Sequence, residues 1–166
     1  FETDPELDHV TVSAFGANLR KTFHRHLADY VDAIELVNAP ELKALQADFL
    51  SRLAMTFDQG DYASIADIDR KEACAESLYR RSLQCHENAR AYLGLGIARQ
   101  KEGEYSDSIR IQTRGVVRFP EEAQLHICLA ISLMNVGDYA AALERLSRFA
   151  QDPTAAELMA RCRQAM

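Results

Sequence analysis

The chain has 166 residues, 48% of them hydrophobic, and a formal net charge of −6 from 25 acidic and 19 basic side chains. Phosphate backbones are bound by clustered Lys and Arg, so this balance argues against a nucleic-acid partner. No apolar run approaches the roughly 20 residues of a membrane-spanning helix. The hydrophobic content, with only 4 prolines and 7 glycines, favours a helical chain with a substantial core.

Residues 1–40 are predicted to form an N-terminal extension with one amphipathic helix, from about Ala17 to Val37. Its apolar residues recur at three- and four-residue spacing and make one face, and Pro40 ends the pattern. They are Leu19, Phe23, Leu27, Tyr30, Ile34 and Val37. We expect this face to pack against the helices that follow. The chain begins on Phe1 instead of Met, so either its start is processed or disordered, or the chain is a piece of a longer protein. We expect a piece, because residues 1–15 show neither a helical period nor a targeting signal.

Three glycine-acid-tyrosine turns divide the rest of the chain. They begin at Gly60, Gly103 and Gly137, and the last two are 34 residues apart. A fixed period with helix–turn–helix texture indicates repeats. The predicted repeats cover residues 41–88, 89–122 and 123–154, followed by a capping helix at 155–166. Residues 63–72 are an insertion in the first repeat.

The second repeat shows the pattern most clearly. Its first helix has a stripe of Tyr92, Leu95 and Gly96, and its second helix ends at Pro120. The inner stripe of the second helix is Ser108, Ile109, Gln112, Gly115 and Val116. Glycine inside a helix costs about 1 kcal/mol against Ala, so Gly96 and Gly115 indicate a close crossing of the two helices.

The other two repeats follow the same plan with departures. In the first, the stripes are Leu50, Leu53, Ala54 and Phe57, then Ala75, Tyr79 and Ser82. In the third, they are His126, Leu129 and Ala130, then Ala142, Leu146 and Phe149. Asp152 and Pro153 are predicted to end the last stripe. Thr154 and Glu157 are predicted to form a capping box that starts the terminal helix at about Ala155.

This pattern of aromatic-x-x-Leu-Gly, Gly-x-Tyr, small residues and a closing proline resembles the tetratricopeptide repeat. The resemblance covers about residues 41–166, and Gln112 and His126 depart from it because they stand where an apolar and an aromatic residue are usual. It implies an all-α superhelix whose concave face is lined by the first helix of each repeat. It also implies the residues that line a partner-binding groove: Arg90, Leu93, Ile97, Gln100, Lys101, Gln124, Ile127, Ile131, Met134 and Asn135.

The segment from Leu125 to Met134 is apolar nearly all round, and such a helix is normally covered on every side. We therefore expect an apolar groove around Leu93, Ile97, Ile127, Ile131 and Met134. The N-terminal helix, a second copy of the chain or a partner's amphipathic helix could fill it. Since Leu and Ile occupy the matching places, we do not expect the Lys, Arg and Asn clamp by which some tetratricopeptide repeats hold a C-terminal carboxylate.

No catalytic or metal-binding pattern stands out. His24 and His26 point in different directions on a helix, and the acidic run 67–72 lacks the glycine and distal Glu of a calcium loop. The 4 cysteines form no CxxC pair, which favours reduced thiols and a cytoplasmic protein. We expect no cofactor and no catalysis by this chain.

The predicted function is a scaffold that binds another protein or peptide segment. The alternative is a C-terminal accessory domain of a larger enzyme, since the repeats are faintly similar to tails of cobalamin-binding radical enzymes. A homodimer is possible if Leu158, Met159 and Met166 form an uncovered apolar face.

Overall fold

The structure is a computed structural model, and it describes residues 42–59 and 71–166. This part of the chain contains seven α-helices and no strand: α1 (Lys43–Gln59), α2 (Lys71–Cys85), α3 (Ala89–Lys101), α4 (Tyr105–Arg118), α5 (Ala123–Asn135), α6 (Tyr139–Ser147) and α7 (Pro153–Ala165). The predicted all-α class is confirmed. The predicted N-terminal helix, most of the insertion and Phe57's side chain lie outside the described residues.

The helices form pairs that stack in chain order. Each helix packs against the next one along the chain, so α1–α2, α3–α4 and α5–α6 are three helical hairpins and α7 covers the last. The first helices α1, α3, α5 and α7 also pack against one another in sequence, whereas α2, α4 and α6 do not. Because the first helices are closer together, the stack of described helices bends toward them. We call the side formed by the first helices the inner face.

Glycine ends α3 and α5 at the recurrent turns. Gly103 has a φ of 78° and Gly137 a φ of 83°, in the left-handed region that other residues enter at a cost. The following Tyr105 and Tyr139 begin α4 and α6. The conformation that this turn requires explains why glycine recurs at its first position.

Small residues allow the helices to cross closely, as predicted. A Cβ atom at Gly96 would lie 2.4 Å from Nε2 of Gln112, and one at Gly115 would lie 2.9 Å from Cβ of Tyr92. Gln112 therefore fills the space that Gly96 leaves, which accounts for its departure from the usual apolar residue.

The predicted stripes are buried in the three hairpins. Fully or nearly fully buried side chains include Leu50, Ala54, Ala75, Tyr79, Ser82, Tyr92, Leu95, Ser108, Val116, Leu129, Ala130, Ala142 and Leu146. His126 is also buried, with 4% of its surface exposed, and its ring lies 4.8 Å from that of Phe149. The polar His126 and aromatic Phe149 thus share one packing site between α5 and the end of α6.

Three predictions about the C-terminal region are wrong. Helix α6 ends at Ser147, so Phe149 packs from the turn that follows it. Helix α7 begins at Pro153, and its N-cap is Asp152, whose side chain accepts hydrogen bonds from the backbone of Thr154 and Ala155. Thr154 therefore does not cap the helix.

The third error concerns the apolar face proposed for a homodimer. Leu158 and Met159 are buried in the core, with 6% and 8% of their surfaces exposed, and Met166 is 68% exposed. The uncovered face that a homodimer would require does not form, because α7 packs Leu158 and Met159 into the core.

Candidate partner-binding surface

Two hydrogen-bonded links show where the predicted groove residues lie. Arg90 on α3 donates from Nη1 to the carboxylate of Asp48 on α1. Gln100, at the other end of α3, donates from Nε2 to the Cys128 carbonyl and the Ser132 hydroxyl on α5, each at 2.7 Å. Both residues bridge neighbouring first helices, so this side of α3 belongs to the inner face.

Four apolar side chains that are predicted to line the groove are partly exposed. They are Leu93 and Ile97 on α3 and Ile131 and Met134 on α5. Ile127 shares their stripe but is 3% exposed. We call Leu93, Ile97, Ile131 and Met134 the apolar patch.

The polar residues predicted to line the groove have different environments. Lys101, Gln124 and Asn135 are exposed, and Asn135 donates from Nδ2 to the Ile131 carbonyl at 2.8 Å, within its own helix. Gln100 is half-buried and holds α3 to α5. Three of these residues are therefore exposed, whereas Gln100 is a bridge between two helices, and the sequence pattern does not reveal this difference. Their roles in binding stay predictions.

Helix α1 adds two charged residues that the sequence analysis missed, Asp48 and Arg52. Ala47, Leu50 and Ser51 are fully buried at the same spacing as Tyr92, Leu95 and Gly96. In this register Asp48 and Arg52 occupy the places of Leu93 and Ile97. At these two places the inner face is therefore charged on α1 and apolar on α3 and α5.

The charged end of the inner face is organised around one carboxylate. Arg52 donates from Nε to Oδ2 of Asp48 at 2.7 Å, and Arg90 donates to Oδ1. These hydrogen bonds, that from Arg52 first, lower the pKa of the Asp48 carboxyl below its ordinary value. Asp48 is thus held ionised, and it fixes the position of Arg90.

A buried polar cluster joins α3, α4 and α5. Ser108 donates from Oγ to the Gly96 carbonyl at 2.8 Å, and its Oγ lies 2.9 Å from that of Ser132. Ser132 also donates to Oε1 of Gln112 at 3.2 Å. Among the described residues, Nε2 of Gln112 has no hydrogen-bond partner. This cluster fixes how α5 sits on the preceding hairpin.

The cysteines of the described part are structural in character. Cys85 and Cys128 are half-buried and Cys162 is buried, and Cys128 and Cys162 are free thiols. Burial raises the pKa of the Cys128 thiol to about 11. Reactive cysteines are thiolates with a lowered pKa, so Cys128 remains a protonated packing residue on the side of α5.

Two other kinds of site are absent from the described residues. No group of three or more His, Cys, Asp or Glu side chains is placed to hold a metal ion. No helix there has the length and apolar character needed to cross a membrane.

The chain is similar in fold to two solved structures. One is PcrH in complex with the chaperone binding region of PopB, with a TM-score of 0.55 and 21% identity over 73% of this chain and 94% of that one. The other is PcrH from Pseudomonas aeruginosa, with a TM-score of 0.52 and 21% identity over 72% of this chain and 88% of that one. No protein-family model and no curated protein sequence matches the chain. The described residues thus have a tetratricopeptide-like helical fold.

Proposed function

We propose that the chain is a scaffold that binds a segment of another protein along its inner face. The apolar patch carries this proposal, because Leu93, Ile97, Ile131 and Met134 are apolar, partly exposed and located on two helices that pack against each other. Buried interfaces depend on such desolvated anchors surrounded by a polar rim. Here Lys101, Gln124 and Asn135 provide that rim.

The comparison with PcrH supports this proposal in one respect. A structure of similar fold is a complex with the chaperone binding region of PopB, so helices arranged in this way accommodate a protein segment in that case. Neither comparison supports the alternative of an accessory domain of an enzyme. A non-catalytic role and a cytoplasmic location remain predictions from the sequence.

The rigidity of the patch favours binding without rearrangement. Gln100 and the cluster of Ser108, Ser132 and Gln112 lock α5 against α3 and α4. The side chains of the apolar patch therefore stand on fixed helices, which reduces the entropy that binding would otherwise cost.

A site-specific crosslinking experiment tests the proposal. A photo-reactive amino acid is placed at Ile97 or at Ile131, and as control at Gln84, which is exposed on α2. We expect one protein segment to be captured from the inner-face positions and not from Gln84. The segment is then synthesised and titrated against the purified chain.

The titration decides whether the captured segment uses the apolar patch. Ile97→Ala and Ile131→Ala should each weaken binding about tenfold, as expected when a central anchor is truncated. Capture at Gln84 with equal yield, or equal affinity of the synthetic segment for both variants and the original chain, would show that the inner face is not the binding surface.

A further inference from the structure

Helix α4 has an unusual solvent-exposed side, away from the inner face. Its exposed residues Arg110, Thr113, Arg114, Val117 and Arg118 form one stripe, which we call the outer face of α4. The opposite side of the helix buries Ser108, Gln112, Gly115 and Val116. We propose that the outer face of α4 is a second binding surface, which takes an acidic amphipathic helix of another protein.

The three arginines stand four residues apart, at Arg110, Arg114 and Arg118. Like charges at this spacing repel one another and destabilise a helix. If this side of α4 contacted only water, acidic residues between the arginines of this stripe would stabilise the helix. The arrangement therefore costs stability, and binding of an anionic partner would offset that cost.

Carboxylates of the chain neutralise the stripe only in part. Arg110 lies 3.1 Å from Asp107, and Arg118 donates from Nε to Glu87 at 2.8 Å. Arg114 approaches the same Glu87 only to 4.0 Å. Glu87 also accepts a hydrogen bond from the Tyr92 hydroxyl at 2.6 Å. Within the described residues, two carboxylates thus serve three guanidinium groups.

The equivalent helices of the other repeats lack the complete stripe. Ala75 in α2, Ser108 in α4 and Ala142 in α6 occupy equivalent buried positions. In this register the place of Arg110 is taken by Ser77 and Glu144. The place of Arg118 is taken by Cys85 in α2, whereas α6 ends at Ser147, before that place is reached. Only the place of Arg114 is an arginine in all three repeats. The run of three arginines is therefore a property of α4 and is not required by the repeat.

Val117 gives the stripe an apolar contact point, since 73% of its surface is exposed between Arg114 and Arg118. Arginine is enriched at protein interfaces, and its guanidinium group binds carboxylates through paired hydrogen bonds. A surface of arginines around one valine suits a partner with carboxylates around an aliphatic residue.

The dimensions of the stripe favour a helix as that partner. Eight residues of α-helix separate the outer arginines by about 12 Å, with about 6 Å between successive ones. Glutamates at every fourth position of a second helix repeat at the same interval. A duplex or a lipid surface would need a longer basic area, and the chain as a whole is acidic, with a net charge of −6.

The test uses a fluorescein-labelled, alanine-based peptide of about 16 residues, long enough to be helical. It carries glutamate at every fourth position and one leucine beside the central glutamate. Fluorescence anisotropy gives its Kd for the full chain. We expect R110Q/R114Q/R118Q to raise Kd about tenfold, because exposed pairs are individually weak and three act together.

A matched control variant is R145Q/R161Q/R163Q, which removes the same charge from other exposed arginines. It should leave Kd within about twofold, with the weakening due only to the altered net charge. Circular dichroism checks that both variants retain the helical content of the original chain. Raising the salt concentration should weaken binding to the original chain more than to R110Q/R114Q/R118Q.

Three results would overturn the proposal. In the first, the original chain does not bind the peptide. In the second, the control variant loses as much affinity as R110Q/R114Q/R118Q. In the third, duplex DNA or phosphatidylserine vesicles bind more tightly than the peptide, and their binding depends on the three arginines. None of them bears on the apolar patch, since crosslinking at Ile97 tests that surface separately.

Discussion

Replacing Gln112 with Met should stabilise the protein, although Gln112 is fully buried and hydrogen-bonded. Its Oε1 accepts a hydrogen bond from Ser132 at 3.2 Å, but its Nε2 is buried without a partner among the described residues. Methionine has a similar length and flexibility and carries no amide. The substitution removes both the hydrogen bond and the unsatisfied donor.

The balance of these two changes gives the expected magnitude. An unsatisfied buried donor costs about 1–3 kcal/mol, whereas the lost hydrogen bond contributes about 1 kcal/mol. The Ser132 hydroxyl is not left alone, because Ser108 and Gln100 also lie within hydrogen-bond distance of it. We therefore expect Gln112→Met to raise the free energy of unfolding by about 1 kcal/mol, which corresponds to a rise in Tm of about 4 °C.

Urea and thermal unfolding of the full chain, followed by circular dichroism, measure this change. Gln84→Met is the matched control, since Gln84 is exposed on α2 and its replacement should change stability by less than about 0.5 kcal/mol. A lower stability of Gln112→Met would refute the reasoning. It would mean that Nε2 is satisfied in solution, for example by a buried water molecule.

Three other substitutions or conditions test separate parts of the fold. Gly94→Ala should destabilise the protein by about 1–3 kcal/mol, because the new Cβ atom would lie 2.1 Å from Cζ of the Tyr79 ring; the double variant with Tyr79→Leu should recover part of the loss. Asn88→Ala should cost about 1 kcal/mol, since Asn88 caps α3 and also donates to Ser82 at 2.8 Å; Asn88→Asp, which keeps the cap, should cost less. Burial, the largest cause, lowers the pKa of His126, so the unfolded chain binds more protons below pH about 6.5. Stability should therefore fall between pH 7 and pH 5.5 in urea titrations, and an unchanged pH dependence in His126→Phe would contradict this account.

Local patterns predicted the repeat architecture well because its constraints are local. The positive φ of Gly103 and Gly137 demands glycine, and the close approach at Gly96 and Gly115 excludes larger residues. The predicted start of α7 is wrong because the prediction treats Pro153 as the end of the preceding helix. Proline is equally suited to the first turn of a helix, and Asp152 before it is a good N-cap.

The candidate binding surface was less predictable because it depends on contacts between repeats. The bridge from Gln100 to α5 and the bond between Arg90 and Asp48 join residues distant in sequence. Asp48 was also missed because the insertion obscures the register of α1 relative to α3. The burial of Ala47 and Ser51 establishes that register. The periodic pattern of apolar residues in the sequence does not define it as clearly.

The spacing of the two helix rows has a mechanical consequence. Since α2, α4 and α6 do not pack against one another, changes of curvature strain mainly the contacts among α1, α3, α5 and α7. The hydrogen bond from Gln100 to α5 and the ion pair between Arg90 and Asp48 hold neighbouring first helices together, so they resist straightening of the stack.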